Sequence, residues 1–219
     1  MPSADSISFD TTGFTRDADD NGVRFWHSAQ GDELHLMSFN LPPDIPVSLE
    51  RMDDIRSFYR LIYVGNGLGL VECESTVVDG CAALHNIFKI PQKPHGMNYI
   101  GSITVPFRDF SFVVQSLCFE QGITGVRDSI IFGEMLAAGQ VKLGETVNNE
   151  TPLEGWWRDP YDASLKTPPL RNLSEDAKYD AQFPDHPLSR LRSTLQHLET
   201  SLRLAPDVKN APPFTGANS

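Results

Sequence analysis

Six histidines, at positions 27, 35, 85, 95, 186 and 197, are the residues of this 219-residue chain best suited to metal ligation or proton transfer. None stands in His-x-His or His-Glu-x-x-His spacing and no cysteine lies beside one, so the local patterns that build zinc sites are missing. His95, in a loop between Pro94 and Gly96, has the setting of a site; the competing reading is an ordinary turn histidine. Nucleophilic catalysis needs a Ser or Cys held by a base, commonly on a glycine-flanked turn. Ser102 follows Gly101 and Cys118 precedes Phe119-Glu120, but neither has glycines on both sides. Cys118 or a carboxylate working with a loop histidine such as His95 would make a hydrolase, whereas a cysteine in an apolar strand is ordinarily core.

Phosphate cradling is suggested by Gly65-Asn-Gly-Leu-Gly69 and by Gly122-Ile-Thr-Gly125. The first lies between a helix and a strand, the reverse of a phosphate-binding loop, and no Gly-Lys-Ser/Thr follows. The second could present backbone N–H groups to an anion at a helix start. Paired carboxylates occur at Asp53-Asp54, Asp159 with Asp162, and Glu175-Asp176. The first pair reads as a solvated helix face and the second as turn chemistry. No motif demands a cofactor or a metal.

The most unusual composition is Glu154-Gly-Trp-Trp-Arg-Asp-Pro-Tyr-Asp162. Trp156, Trp157, Arg158, Asp159 and Tyr161 are residue types that dominate protein interfaces, and irregular segments carry function more often than scaffold does. The alternative is a clamp that fixes a long loop to the domain, with Arg158 paired to an aspartate. Arg108, in Phe107-Arg-Asp-Phe110 between two strands, could display its charge at the sheet end or merely fix the turn.

The hydrophobic share of 40% and charged share of 21% are those of a globular chain. A net charge of -11 argues against a nucleic-acid partner, which requires a basic face, and favours a partner with a basic surface. Cys73, Cys81 and Cys118 are odd in number, lack Cys-x-x-Cys spacing and read as reduced core thiols, an expectation of a cytoplasmic protein. No run approaches a membrane span of roughly 18 apolar residues, and the first residues do not resemble a signal peptide. Asn149-Glu-Thr and Asn172-Leu-Ser match the glycosylation triplet but carry no weight without secretion.

The elements that must position these groups follow from periodicity. Residues 1–20 are read as a flexible arm or an edge addition, 21–204 as one α/β domain, and 205–219 as a flexible tail. A β-hairpin is predicted over 23–29 and 33–39, and an extended Pro-rich linker over 41–46. Ser48 is the expected cap of a helix running to residue 64. Two strands flank Asp79-Gly80, and two more are hinged at residues 106–109. Thr124 or Asp128 is the expected cap of a helix that stops at Gly139. Residues 140–172 form an irregular excursion. Leu188, Leu191, Leu195, Leu198 and Leu202 recur at steps of three and four after Pro187, predicting a C-terminal helix over 187–203. That stripe must bury itself, on the sheet or in a homodimer. The resulting fold class is α+β, an antiparallel sheet of about six strands packed by helices.

The Asp79-Gly80 hairpin, the strand pair around residues 106–109 and the helix after Gly125 make the order resemble the PsbP-like α/β sandwich of the DcrB-type bacterial proteins. Lys89-Ile-Pro-Gln, Tyr99-Ile-Gly-Ser, Pro106-Phe-Arg-Asp-Phe-Ser-Phe and Phe183-Pro-Asp-His-Pro-Leu-Ser-Arg also resemble segments of bacterial proteins with no assigned activity. The resemblance covers about residues 25–140 and implies binding without chemistry, since such relatives include chaperones for secreted toxins. It transfers no functional residue. The expectation is a non-catalytic protein-interaction module, an immunity protein or a chaperone for a bacterial toxin or effector in its specific form, with a hydrolase as the alternative.

Overall fold

The computed structural model describes residues 2–146, 151–166 and 169–216. Four short strands begin it: β1 (Ile7–Ser8), β2 (Phe14–Arg16), β3 (Arg24–Ser28) and β4 (Glu33–Phe39). Helix α1 (Met52–Val64) follows, then the long strands β5 (Gly69–Val78), β6 (Cys81–Pro91), β7 (Met97–Pro106) and β8 (Ser111–Phe119). Seven strands form one antiparallel sheet in the order β2-β3-β4-β8-β7-β6-β5. Two meanders are therefore joined at β4 and β8, with Leu36 opposite Val114, and α1 carries the chain across to the far edge. The β5–β6 turn follows its sequence chemistry: Asp79 and Gly80 have φ of 47° and 82°, the left-handed pair a tight hairpin requires.

Strand alternation gives the sheet two different faces. On one, Leu34, Leu36, Ala83, Ile87, Ile103, Val105, Val114 and Cys118 are buried. Helix α3 (Pro187–Ser201) lies across β7 and β8 on that face, and all five leucines of the predicted stripe are buried there. Each contributes about 1.5–3 kcal/mol of burial, enough to hold the helix on its own sheet. Close approach is possible because β7 carries Gly101: a Cβ there would stand 2.6 Å from Leu195 Cδ1.

On the opposite face α1 covers β5 and β6, packing Ile55, Tyr59 and Tyr63 against Leu70, Cys73, Leu84 and Phe88. It starts at Met52 rather than after Ser48, because Arg51 is non-helical and has no capping side chain. Helix α2 (Val126–Ala137) begins at Gly125, in the left-handed conformation, so neither Thr124 nor Asp128 is its cap. Its Ile131 and Met135 pack with Val141 and Trp156 in a third cluster.

Residues 2–20 take the edge-addition form, and residues 205–216 carry structure in place of the expected flexible tail. In residues 2–20, β2 pairs with β3, β1 pairs with β13 (Arg203–Leu204), and Ala4 and Ile7 enter the core. After β13, α4 (Pro206–Lys209) buries Val208, and Pro213 bridges to Phe107. Short apolar side chains at these ends cover the margins of the α3 layer, which no periodic pattern marks. The excursion over 140–172 contains two small ribbons, β9 (Lys142–Leu143) with β10 (Leu153–Glu154) and β11 (Trp157–Arg158) with β12 (Arg171–Asn172). Asn149 and Pro168 lie outside the described residues.

Candidate functional site

The residues singled out by composition are not brought together. Trp156 is buried against Phe132, with ring centroids 5.2 Å apart, and is part of the α2 cluster. Arg60 of α1 donates from Nε to Asp159 Oδ2 at 2.7 Å, while Asp159 Oδ1 accepts the N–H groups of Tyr161 and Asp162, both at 2.9 Å. Tyr161 accepts the Cys73 N–H at 2.7 Å, and the Arg56 guanidinium lies 3.8 Å from its ring centroid. These contacts clamp the excursion beside β5 and α1. Trp157 stays 44% exposed, and Arg158 reaches Asp176 at 3.0 Å. Arg108 is exposed and hydrogen-bonded to its neighbour Asp109.

His95 is exposed on its loop and makes no hydrogen bond or ion pair among the described residues. Cys118 is fully buried beneath α3, and burial pushes its thiol far above the ordinary range. A Cys118–His95 dyad is therefore not assembled. The Gly122–Gly125 turn already holds an anion of its own chain: Glu120 Oε1 accepts the Gly125 N–H at 2.6 Å and Oε2 accepts the Met97 N–H at 2.8 Å. Asn172 is buried and bonded to Asp128. Among the described residues no group of three or more His, Cys, Asp or Glu is placed to hold a metal.

Two other histidines sit in strong fields. His85 lies between Glu199, 2.7 Å from Nδ1, and Glu72, 3.5 Å from Nε2. Burial opposes its charge, yet Glu199 and then Glu72 outweigh that and lift it to about 9. Burial would likewise raise Glu72, but His85 and Arg192 bring it down to about 2. His186 accepts the Leu188 N–H and caps α3; burial, then the nearby Arg127, Arg190 and Arg192, lower it to about 3 and keep it neutral. His85 belongs to a belt of ion pairs under α3 and α2 that includes fully buried Arg127, which bonds Asp180 and Ser189. The charged groups of the belt pair with one another within the chain, so the belt reads as structure.

The feature left unanswered is on the other sheet face. Helix α1 covers β5 and β6 only, and a groove of ≈ 520 Å³ runs between it and the open strands β7 and β8. Register aligns one polar row across its floor: Asn86 pairs with Ser102, Ser102 with Gln115, and Gln115 with His35. Apolar rows flank it, Phe88–Ile100–Leu117 on one side and Leu84–Thr104–Val113 on the other, the latter interrupted by a single threonine. Asn86 is 2% exposed and its Oδ1 has no hydrogen-bond partner. It is one of six buried side-chain atoms without a partner among the described residues, and the one that lies in this groove.

The wall is aromatic. Tyr59 and Tyr63 stack with centroids 5.6 Å apart, and Phe88 lies 4.3 Å from Tyr63. At the rim, Phe39 and Leu41 are exposed, and Asp44 of the Pro-rich linker carries a carboxylate with no ion pair among the described residues. Asp44 lines the groove together with Tyr59 and Tyr63, and burial, then the Asp44 charge, raise the Tyr63 hydroxyl above its ordinary range. Apolar walls with a few convergent polar groups are the usual anatomy of a ligand site. Sequence reading missed it: alternate polar residues within β6, β7 and β8 were a visible signal, but their alignment depends on strand pairing.

No family model matches the chain, and no curated protein matches it. A crystal structure of a protein from Bacteroides thetaiotaomicron is similar over 56% of this chain and 41% of that one, with 5% identity and a TM-score of 0.36. The match thus spans well under half of that protein. Among the described residues no helix is long and apolar enough to cross a membrane.

Proposed function

We propose that this chain is a non-catalytic binding module for a protein partner with a basic surface, working in the cytoplasm, and that an immunity protein or a chaperone for a bacterial toxin or effector is its specific form. The observation that carries this reading is the unanswered polar row Asn86–Ser102–Gln115 in the groove beside α1. Here the half-buried side chains of Ser102 and Gln115 face an opening rimmed by exposed Phe39, Leu41 and Ile62, with enclosed Asn86 beside them. Exposed apolar groups around a polar floor suit a protein contact. The net charge of -11 favours a basic partner and fast, salt-sensitive association.

Native capture from the source cells with the tagged full chain, followed by mass spectrometry, tests the reading. The expected result is one stoichiometric basic protein, released progressively as ionic strength rises from about 0.05 to 0.5 M because screening shortens the reach of the charges. Recovery of no stoichiometric protein overturns it.

A further inference from the structure

The groove also specifies what part of a partner it can take. Among the described residues that line it, Asp44 is the only charged one and there is no lysine or arginine; His35, at the end of the polar row, lies beyond the lining. The groove floor offers the half-buried hydrogen-bonding side chains of Ser102 and Gln115 to an occupant. Tyr59, Tyr63 and Phe88 supply aromatic surface, whose faces attract cations and whose bodies cover methylene stems. An acidic or anionic occupant would meet Asp44 with no positive group to offset it. A purely apolar one would bury the half-buried Ser102 and Gln115 groups without partners, which is costly.

From this charge complementarity we infer that the groove is a docking site for a basic side chain carried on an apolar segment of the protein partner, with the ammonium at Asp44 and the flanking apolar residues on the aromatic wall. The inference rests on the binding-module reading above and narrows it. A lysine ammonium supplies the positive partner that Asp44 lacks among the described residues, and its methylene stem suits the aromatic wall. The floor groups select extended backbone or short polar side chains at the neighbouring positions.

The test uses the isotopically labelled full chain, titrated by NMR with three blocked tripeptides: acetyl-Leu-Lys-Leu-amide, acetyl-Leu-Glu-Leu-amide and acetyl-Leu-Met-Leu-amide. The lysine peptide is expected to shift the Asn86 side-chain amide and the Ser102 and Gln115 backbone signals saturably, and to bind about tenfold more tightly than the methionine peptide, equivalent to 1.4 kcal/mol. The glutamate peptide should not saturate. Asp44→Asn, an exposed substitution that leaves the core intact, should abolish the lysine preference. Glu134→Gln, which removes an exposed charge of α2 outside the groove, should leave it unchanged. Equal binding of the three peptides, an unaltered Asp44→Asn chain, or shifts confined to residues outside the groove would each overturn the assignment. The captured partner separates this failure from failure of the module: a partner held equally by wild type and Asp44→Asn leaves the module standing and removes the groove as its dock.

Discussion

Lys89 Nζ donates to Glu175 Oε2 at 2.7 Å, and both side chains are enclosed, at 4% and 1% exposure. The other carboxylate oxygen accepts the Tyr99 hydroxyl at 2.8 Å, and Oε2 also accepts the Asn172 N–H at 2.7 Å. This pair ties the floor of the sheet to the segment that follows the excursion. Lys89→Met would strand a buried carboxylate and should cost about 3–5 kcal/mol. Glu175→Gln should be similarly severe, but the double variant should cost less than the sum of the two by about 1 kcal/mol or more. Urea unfolding of the four proteins measures this, and strictly additive costs would show that the two charges do not support one another.

The two perturbed histidines make opposite contributions to stability with pH. His85 is raised to about 9, so its contribution is complete below the unfolded value of about 6.5 and is lost as pH climbs through 9. His186 is lowered to about 3, so the unfolded chain takes up the proton first and stability falls as pH drops below about 6.5. Stability should therefore be greatest near pH 6.5. His85→Gln should flatten the alkaline limb, and His186→Asn, which can still cap α3, should flatten the acid limb. Unfolding midpoints at about pH 5, 6.5 and 9 check this; an alkaline limb that survives His85→Gln assigns it to other groups.

Gly101→Ala should loosen α3. The added Cβ would meet Leu195 Cδ1 at 2.6 Å and Leu191 Cγ at 3.1 Å, both in fully buried side chains. Overpacking of this kind costs about 1–3 kcal/mol. Thermal unfolding should register it, while Gly133→Ala, where nothing lies within 4 Å, should be neutral or slightly stabilising. Equal responses at the two glycines would contradict the close helix–sheet contact.

Thiol labelling should find one reactive cysteine. Burial pushes Cys73 up to about 12 and Cys118 further, and both are fully enclosed, whereas Cys81 is only partly covered. Under native conditions a disulfide reagent should modify Cys81 quickly and the other two only on unfolding, and Cys81→Ser should remove the fast phase. Rapid modification of Cys118 in the folded chain would mean that α3 does not seal that core.

Local patterns determined the strands, the turn at Asp79-Gly80 and the helix that carries the five leucines, because alternation and helical spacing are written into adjacent residues. They also determined the fold class: an antiparallel α+β domain needed no more than element order and turn chemistry. The contacts that hold the Trp156 segment to the domain depend on Arg60 and Asp159, 99 positions apart, which no local pattern brings together. Tertiary structure alone decided the pairing of β4 with β8, the strands added by both chain ends, and the buried ion pairs. It also decided the groove. Asn86, Ser102 and Gln115 look like isolated polar interruptions of apolar strands, and register across three strands turns them into one row. Hydrogen-bond pairing between strands is set by the whole sheet, so a site made from that pairing has no signature in any single stretch of chain.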